Sequence, residues 1–174
     1  MKFKEPKLRV GISSCLYGNQ VRYDGTHRLN RPLLRRLGPL VEWIVVCPEA
    51  DSGMGVPRET IHLVGSKANP RVETTHTKVD KTKQLRHYSE VLVKDLSYSN
   101  LSGFVLKARS PSCGTQTPLT LDDGTIVPDG RGIFVQALYK SNPRLPIVNE
   151  EDIATEEGME NFVEAMKNYV KTDT

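Results

Sequence analysis

A chain of 174 residues, 37% apolar and 26% charged, is long enough for one hydrophobic core and too apolar to be disordered. No apolar run reaches the length of a membrane span, and a net charge of +3 is too small to argue for nucleic acid by itself. Three cysteines, an odd count, exclude a full disulfide framework. The N-terminal residues 1–7 carry no apolar signal-like stretch, so the expectation is a cytoplasmic, non-membrane protein with reduced thiols. Charge is uneven: residues 1–50 hold nine Lys/Arg against four Asp/Glu, and residues 150–174 hold two against eight. A basic N-terminal face attracts an anion, or is simply solvated.

Leu8 to Ser13 reads as a first buried strand, with Gly11 marking close packing or close approach of a ligand. A long polar loop follows over 14–27, punctuated by Gly18 and Gly25. Arg31 to Gly38 is a short helix with Pro32 near its start. Val41 to Val46 is a second buried strand, leading into Cys47-Pro48-Glu49 and an irregular Gly-containing loop to Arg58. Thr60 to Val64 reads as an edge strand and Arg71 to Thr75 as a short one. Asp80 to Leu96 carries Leu85, Tyr88, Leu92 and Leu96 on one helical face, with Asp80 as N-cap.

Gly103 to Leu106 is a third buried strand, expected to run to about Arg109 before Ser110-Pro111-Ser112-Cys113-Gly114 stops it. Residues 122–132 are turn-rich and read as a hairpin excursion, Ile133 to Tyr139 as helix, and Pro146 to Val148 as a last strand. The final helix starts near Thr155 and buries Met159, Phe162, Val163, Met166 and Val170. This alternation predicts an α/β fold: a single-domain Rossmann-like sandwich, its mostly parallel sheet covered by helices on both faces.

Cys15, Cys47 and Cys113 each follow an apolar strand, and ligands of parallel sheets bind at the strands' carboxyl ends. Buried thiols acting as small apolar side chains are the plain reading. The chemical reading is a thiolate site, the thiolates favoured by Gly and Ser N–H groups. Three thiolates hold zinc with an open position, or three irons of a 4Fe–4S cluster with one iron open; the lack of histidine ligands favours the cluster. Ser14, Arg22, Lys107 and Ser112 stand as substrate or anion contacts, with Asp24 and Glu49 as alternative partners for Arg22 and Lys107. His27 reads as solvated or structural, and the glycine spacing fits no dinucleotide or P-loop pattern.

Three motifs carry a family resemblance. They are the stretch from Val10 through Ser14-Cys15 and Arg22 to Gly25, the stretch from Val46 through Cys47-Pro48-Glu49 to Arg58, and Lys107 to Gly114. In this order they resemble the three signatures of the thiouracil desulfurase (TudS) family, over roughly residues 8–145. The resemblance implies one TudS-like domain over residues 1–174 and hydrolytic removal of sulfur from a thiolated pyrimidine, as free base or within RNA. It implies a 4Fe–4S cluster used as a Lewis acid, with Cys15, Cys47 and Cys113 as ligands, Glu49 as acid/base and Ser110 as its polar partner. A zinc-thiolate hydrolase, or a module that binds a thiolated base or RNA without turnover, are the alternatives. The expected state is a monomer or a dimer.

Overall fold

The elements run β1 (Leu8–Ser13), α1 (Ser14–Tyr17), α2 (Arg31–Leu37), β2 (Val41–Val46), a wide helical turn (Ala50–Met54), β3 (Ile61–Gly65) and β4 (Pro70–Thr74). The second half holds α3 (Thr82–Ser97), β5 (Gly103–Leu106), β6 (Thr117–Leu121), β7 (Ile126–Gly130), α4 (Ile133–Ser141), β8 (Ile147–Asn149) and α5 (Glu156–Thr172). The structure is a computed structural model that describes residues 7–97 and 99–172.

The fold is α/β, built on a four-stranded sheet of order β2-β1-β5-β8 in which every pair is parallel. Its strands are apolar because both faces are covered. On one face Val10, Ile12 and Val105 pack with Leu33 and Leu37 of α2 and Phe162 and Met166 of α5. On the other, Phe104 and Leu106 pack with Val93 and Leu96 of α3 and Phe134 and Leu138 of α4. Residues two apart in β1 and in β5 thus serve the same face, as strand periodicity requires.

Gly11 serves packing. Paired with Phe104 in register, it lies under that ring, and a Cβ added there would meet ring carbons at 2.3 Å. Phe104 is fully buried and cannot yield. Gly11→Ala is therefore expected to cost about 1–3 kcal/mol by overpacking, read as a lower urea midpoint at unchanged m-value. An unchanged midpoint would refute the packing argument.

A second four-stranded sheet, order β4-β3-β6-β7, departs from the expected layout. Its pairs are antiparallel except β3–β6. The stretch read as an edge strand from Thr60 is β3, which lies inside this sheet between β4 and β6. The sequence reading assigned no element to 117–121, where β6 lies with Pro118 inside it. The proline is accommodated at an irregularity between Thr117 and Leu119, where the pairing with β7 shifts register. The predicted excursion at 122–132 closes the β6–β7 hairpin, with Gly124 at φ 86° in its turn.

The predicted helices form, with local differences. The residues after Ser13 begin in the short helix α1. Helix α3 starts at Thr82, two residues later than expected, and Asp80 ahead of it accepts from the Thr82 N–H at 2.7 Å. The buried face of α3 is Leu85, Ser89, Val93 and Leu96; Tyr88 and Leu92 lie half-buried beside it. In α5, Val163 is half-buried and Val170 is 36% exposed rather than buried, because the sheet's cover ends at Met166. Among the described residues no helix is long and apolar enough to cross a membrane.

Candidate functional site

Parallel pairing puts Ser13 beside Val46, and Leu106 beside Asn149, so β1, β2, β5 and β8 end at one edge of the first sheet. The segments leaving that edge surround a cavity of about 220 Å³. Cys15, Cys47 and Cys113 all line it, together with Glu49, Ser110, Ser112, Ser14, Arg22 and Lys107. Every site residue singled out from the sequence is on this wall. His27 is not; it is exposed, and its Nδ1 accepts from the Leu29 N–H at 3.2 Å.

Each cysteine sits on a braced loop. Cys15 lies in α1, whose carbonyl oxygen accepts from Arg28 N–H at 2.8 Å and closes the loop back on itself. Gly18 permits this closure with φ 109°. The Cys47 N–H donates to Asp51 Oδ2 at 3.0 Å while Asp51 N–H donates back to the Cys47 carbonyl at 2.9 Å. The third strand stops at Leu106, three residues before the expected end. The left-handed conformation in the following loop belongs to Arg109, at φ 57°, and not to Gly114. Gly114 is needed for close approach: a Cβ would stand 2.8 Å from the Ser110 carbonyl. The first N–H groups of α4, from Ile133 and Phe134, donate to the carbonyls of Pro111 and Ser112, so the helix start holds the Cys113 loop from behind.

The thiols are free, and burial outweighs the local donors that were expected to favour thiolates. Burial pushes the Cys47 thiol up to about 11, although the Ala50 N–H and Arg58 act in the opposite direction. Cys113 is raised further by burial, against a hydrogen bond from the Ser13 hydroxyl. Cys15 is raised by burial against Lys107 and Arg22. A thiophilic metal group must therefore displace protons as it binds.

Glu49 follows Cys47 by two residues and is 14% exposed. Its Oε2 takes two bonds from Arg58, at 2.8 Å from Nη2 and 3.2 Å from Nε. Its Oε1 accepts from the Ser112 hydroxyl. The direct serine partner is thus Ser112, where the family resemblance implied Ser110. Ser110 Oγ turns inward to accept from the Cys113 N–H at 3.0 Å, and lies 3.1 Å from Ser112 Oγ. Arg58 was missed as a site residue, though it closes the Cys-Pro-Glu motif. Its Nη1 also donates to the carbonyls of Val21 and Gly55, at 2.8 and 3.0 Å, tying two site loops together.

Lys107 pairs with Glu150 rather than Glu49. Ser14 Oγ accepts from Asn19 Nδ2 at 2.8 Å and braces its own loop. Arg22 lies over the Tyr23 ring, with Nε 3.9 Å from Asp24 and without a hydrogen-bond partner among the described residues.

The donor set fits an iron–sulfur cluster. Three free thiols and no histidine face one cavity, and thiolate-only ligation suits such clusters. Among the described residues no three His, Cys, Asp or Glu side chains gather to hold a single metal ion. A mononuclear zinc site needs its sulfurs within about 2.3 Å of one point, whereas a cluster binds each thiolate through a different iron.

The family model for 2-thiouracil desulfurase matches residues 10–151. An uncharacterized protein of Bacillus subtilis (strain 168), YbbK, is 32% identical over 109 residues, covering 60% of this chain and 72% of that protein. Among solved structures, a 4Fe-4S-dependent thiouracil desulfidase, TudS, superposes with a TM-score of 0.74 at 23% identity, over 92% of this chain and 99% of that one. That last likeness is one of fold. The family match itself spans all three cysteines, Glu49, Arg58 and the Ser110–Ser112 turn, and by it the chain belongs to the 2-thiouracil desulfurase family.

Proposed function

We propose that this protein is a desulfurase that hydrolyses a thiolated pyrimidine of the 2-thiouracil kind to its oxo form. One observation carries the proposal: three strand-end thiols and a fixed carboxylate line the same cavity. In the net reaction a C–O bond forms, the C–S bond breaks, and both protons of water end on the sulfide. No electron donor or acceptor is required.

Cys15, Cys47 and Cys113 would hold a 4Fe–4S cluster. Held by three protein ligands, the cluster would supply Lewis-acid chemistry toward the thiocarbonyl group. The protein's share is proton handling and positioning. Glu49 takes a proton from the attacking water and delivers it toward the departing sulfur. Arg58 and Ser112 hold one oxygen each, so the carboxylate keeps a single orientation. Ser110 keeps the turn that carries Ser112 and Cys113.

Anaerobic reconstitution should load about four irons and about four acid-labile sulfides per chain. Added 2-thiouracil should then be converted to uracil with stoichiometric sulfide. Bound zinc without labile sulfide would overturn the cluster assignment. A loaded cluster that binds 2-thiouracil without releasing sulfide would make the protein a binding module.

A further inference from the structure

Lys107 lines the cavity with its side chain 18% exposed. Its ammonium donates to the Glu150 carboxylate and, at 3.2 Å, to the Ala108 carbonyl. An ammonium has three N–H donors, and among the described residues these two bonds leave one uncommitted. Glu150 is 10% exposed and follows β8 directly. Its Oε2 accepts from the Ala108 N–H at 2.6 Å, and its own N–H donates to the Leu106 carbonyl at 3.1 Å. The acid is thus pinned to the end of β5 through backbone, and the lysine is pinned to the acid.

Among the described residues, two of the other three cationic side chains on the cavity wall are held by carboxylates. Arg58 is committed to Glu49 and two carbonyls, Arg109 pairs with Glu151 at 2.6 Å, and Arg22 lies over Tyr23 with its Nε 3.9 Å from Asp24. Released from Glu150, the Lys107 ammonium has one carboxylate on the cavity wall among the described residues to pair with, Glu49. That pairing would occupy both groups.

We propose that Glu150 is a positioning residue for substrate binding. It holds Lys107 in the cavity wall and away from Glu49, so that the uncommitted N–H receives the electron-rich exocyclic oxygen of the pyrimidine ring. The identity of the ligand rests on the desulfurase reading; the geometry does not.

The test uses the cluster-loaded full chain and compares Lys107→Met, Glu150→Gln and the double variant. Sulfide release from 2-thiouracil gives KM and kcat, calorimetry gives the affinity for uracil, and thermal melting with iron content reports structure. Each single variant should raise KM and weaken uracil binding about tenfold. The double variant should be no worse than Lys107→Met alone, because Glu150 acts through Lys107. Additive losses, or a lower melting point with KM and uracil affinity unchanged, would reduce Glu150 to a structural brace and overturn the proposal. Should Glu150→Gln fail to fold, unchanged uracil affinity in Lys107→Met overturns it equally. A loaded wild-type protein that binds uracil but releases no sulfide sinks the desulfurase reading alone. Wild-type turnover with unaffected variants sinks this inference alone.

Discussion

Glu49→Gln, loaded with iron and sulfide as the wild type is, should release sulfide from 2-thiouracil about 10²–10⁴-fold more slowly, the range that general acid–base groups contribute. The substitution preserves shape: an amide oxygen still accepts from Arg58, and the Ser112 hydroxyl can rotate to accept from the amide nitrogen. The capacity to take up and return a proton is what it removes. Iron content should stay at the wild-type value, because the proposed ligands are the three cysteines. KM should change little if Glu49 acts on water rather than on the ring. Turnover within threefold of wild type would show that water is activated by another group, and Glu49 would revert to a loop-bracing carboxylate.

Arg58→Met should destabilise the fold by about 3–5 kcal/mol, the usual effect of removing one member of a buried ion pair. The pair is shielded on both sides, with Arg58 7% and Glu49 14% exposed. The substitution leaves the Glu49 charge without its counterion and removes the arginine bonds to the carbonyls of Val21 and Gly55. Denaturant unfolding measures the loss. Lysine should not rescue it, since one ammonium cannot reproduce a fork that reaches Glu49, Val21 and Gly55 together. Arg58→Met combined with Glu49→Gln should lose less than the sum of the two, because the second change removes the stranded charge. Full additivity would mean that the pair contributes nothing beyond its separate parts.

Strand β1, helix α3 and helix α5 were legible because burial imposes a period on the residues that supply it. Leu8, Val10 and Ile12 alternate onto one face of β1, and Leu85, Leu96, Phe162 and Met166 recur at helical spacing. The placement of Cys15 and Cys47 followed from the same reading, since parallel strands share their carboxyl edge; Cys113, seven residues past β5, is brought to that edge by a turn held against the start of α4. Sheet β4-β3-β6-β7 was less legible. Its short strands contain Pro70, Pro118 and Pro128, which count against a strand unless the pairing partner and the bulge are known.

Chain order and residue type by themselves determined an α/β fold, helices on both faces of a parallel sheet, and a thiol-lined edge with Glu49 beside it. Tertiary structure alone decided which groups touch. Ser112 and not Ser110 faces Glu49, because one hydroxyl turns into its own loop to accept from the Cys113 N–H. Arg58 reaches back across an irregular turn to Glu49, and Lys107 finds Glu150 across 43 residues of sequence. Periodicity reports which face of an element is buried. A hydrogen bond depends on side-chain direction at the ends of elements, where no period operates and only the packed chain sets the distance.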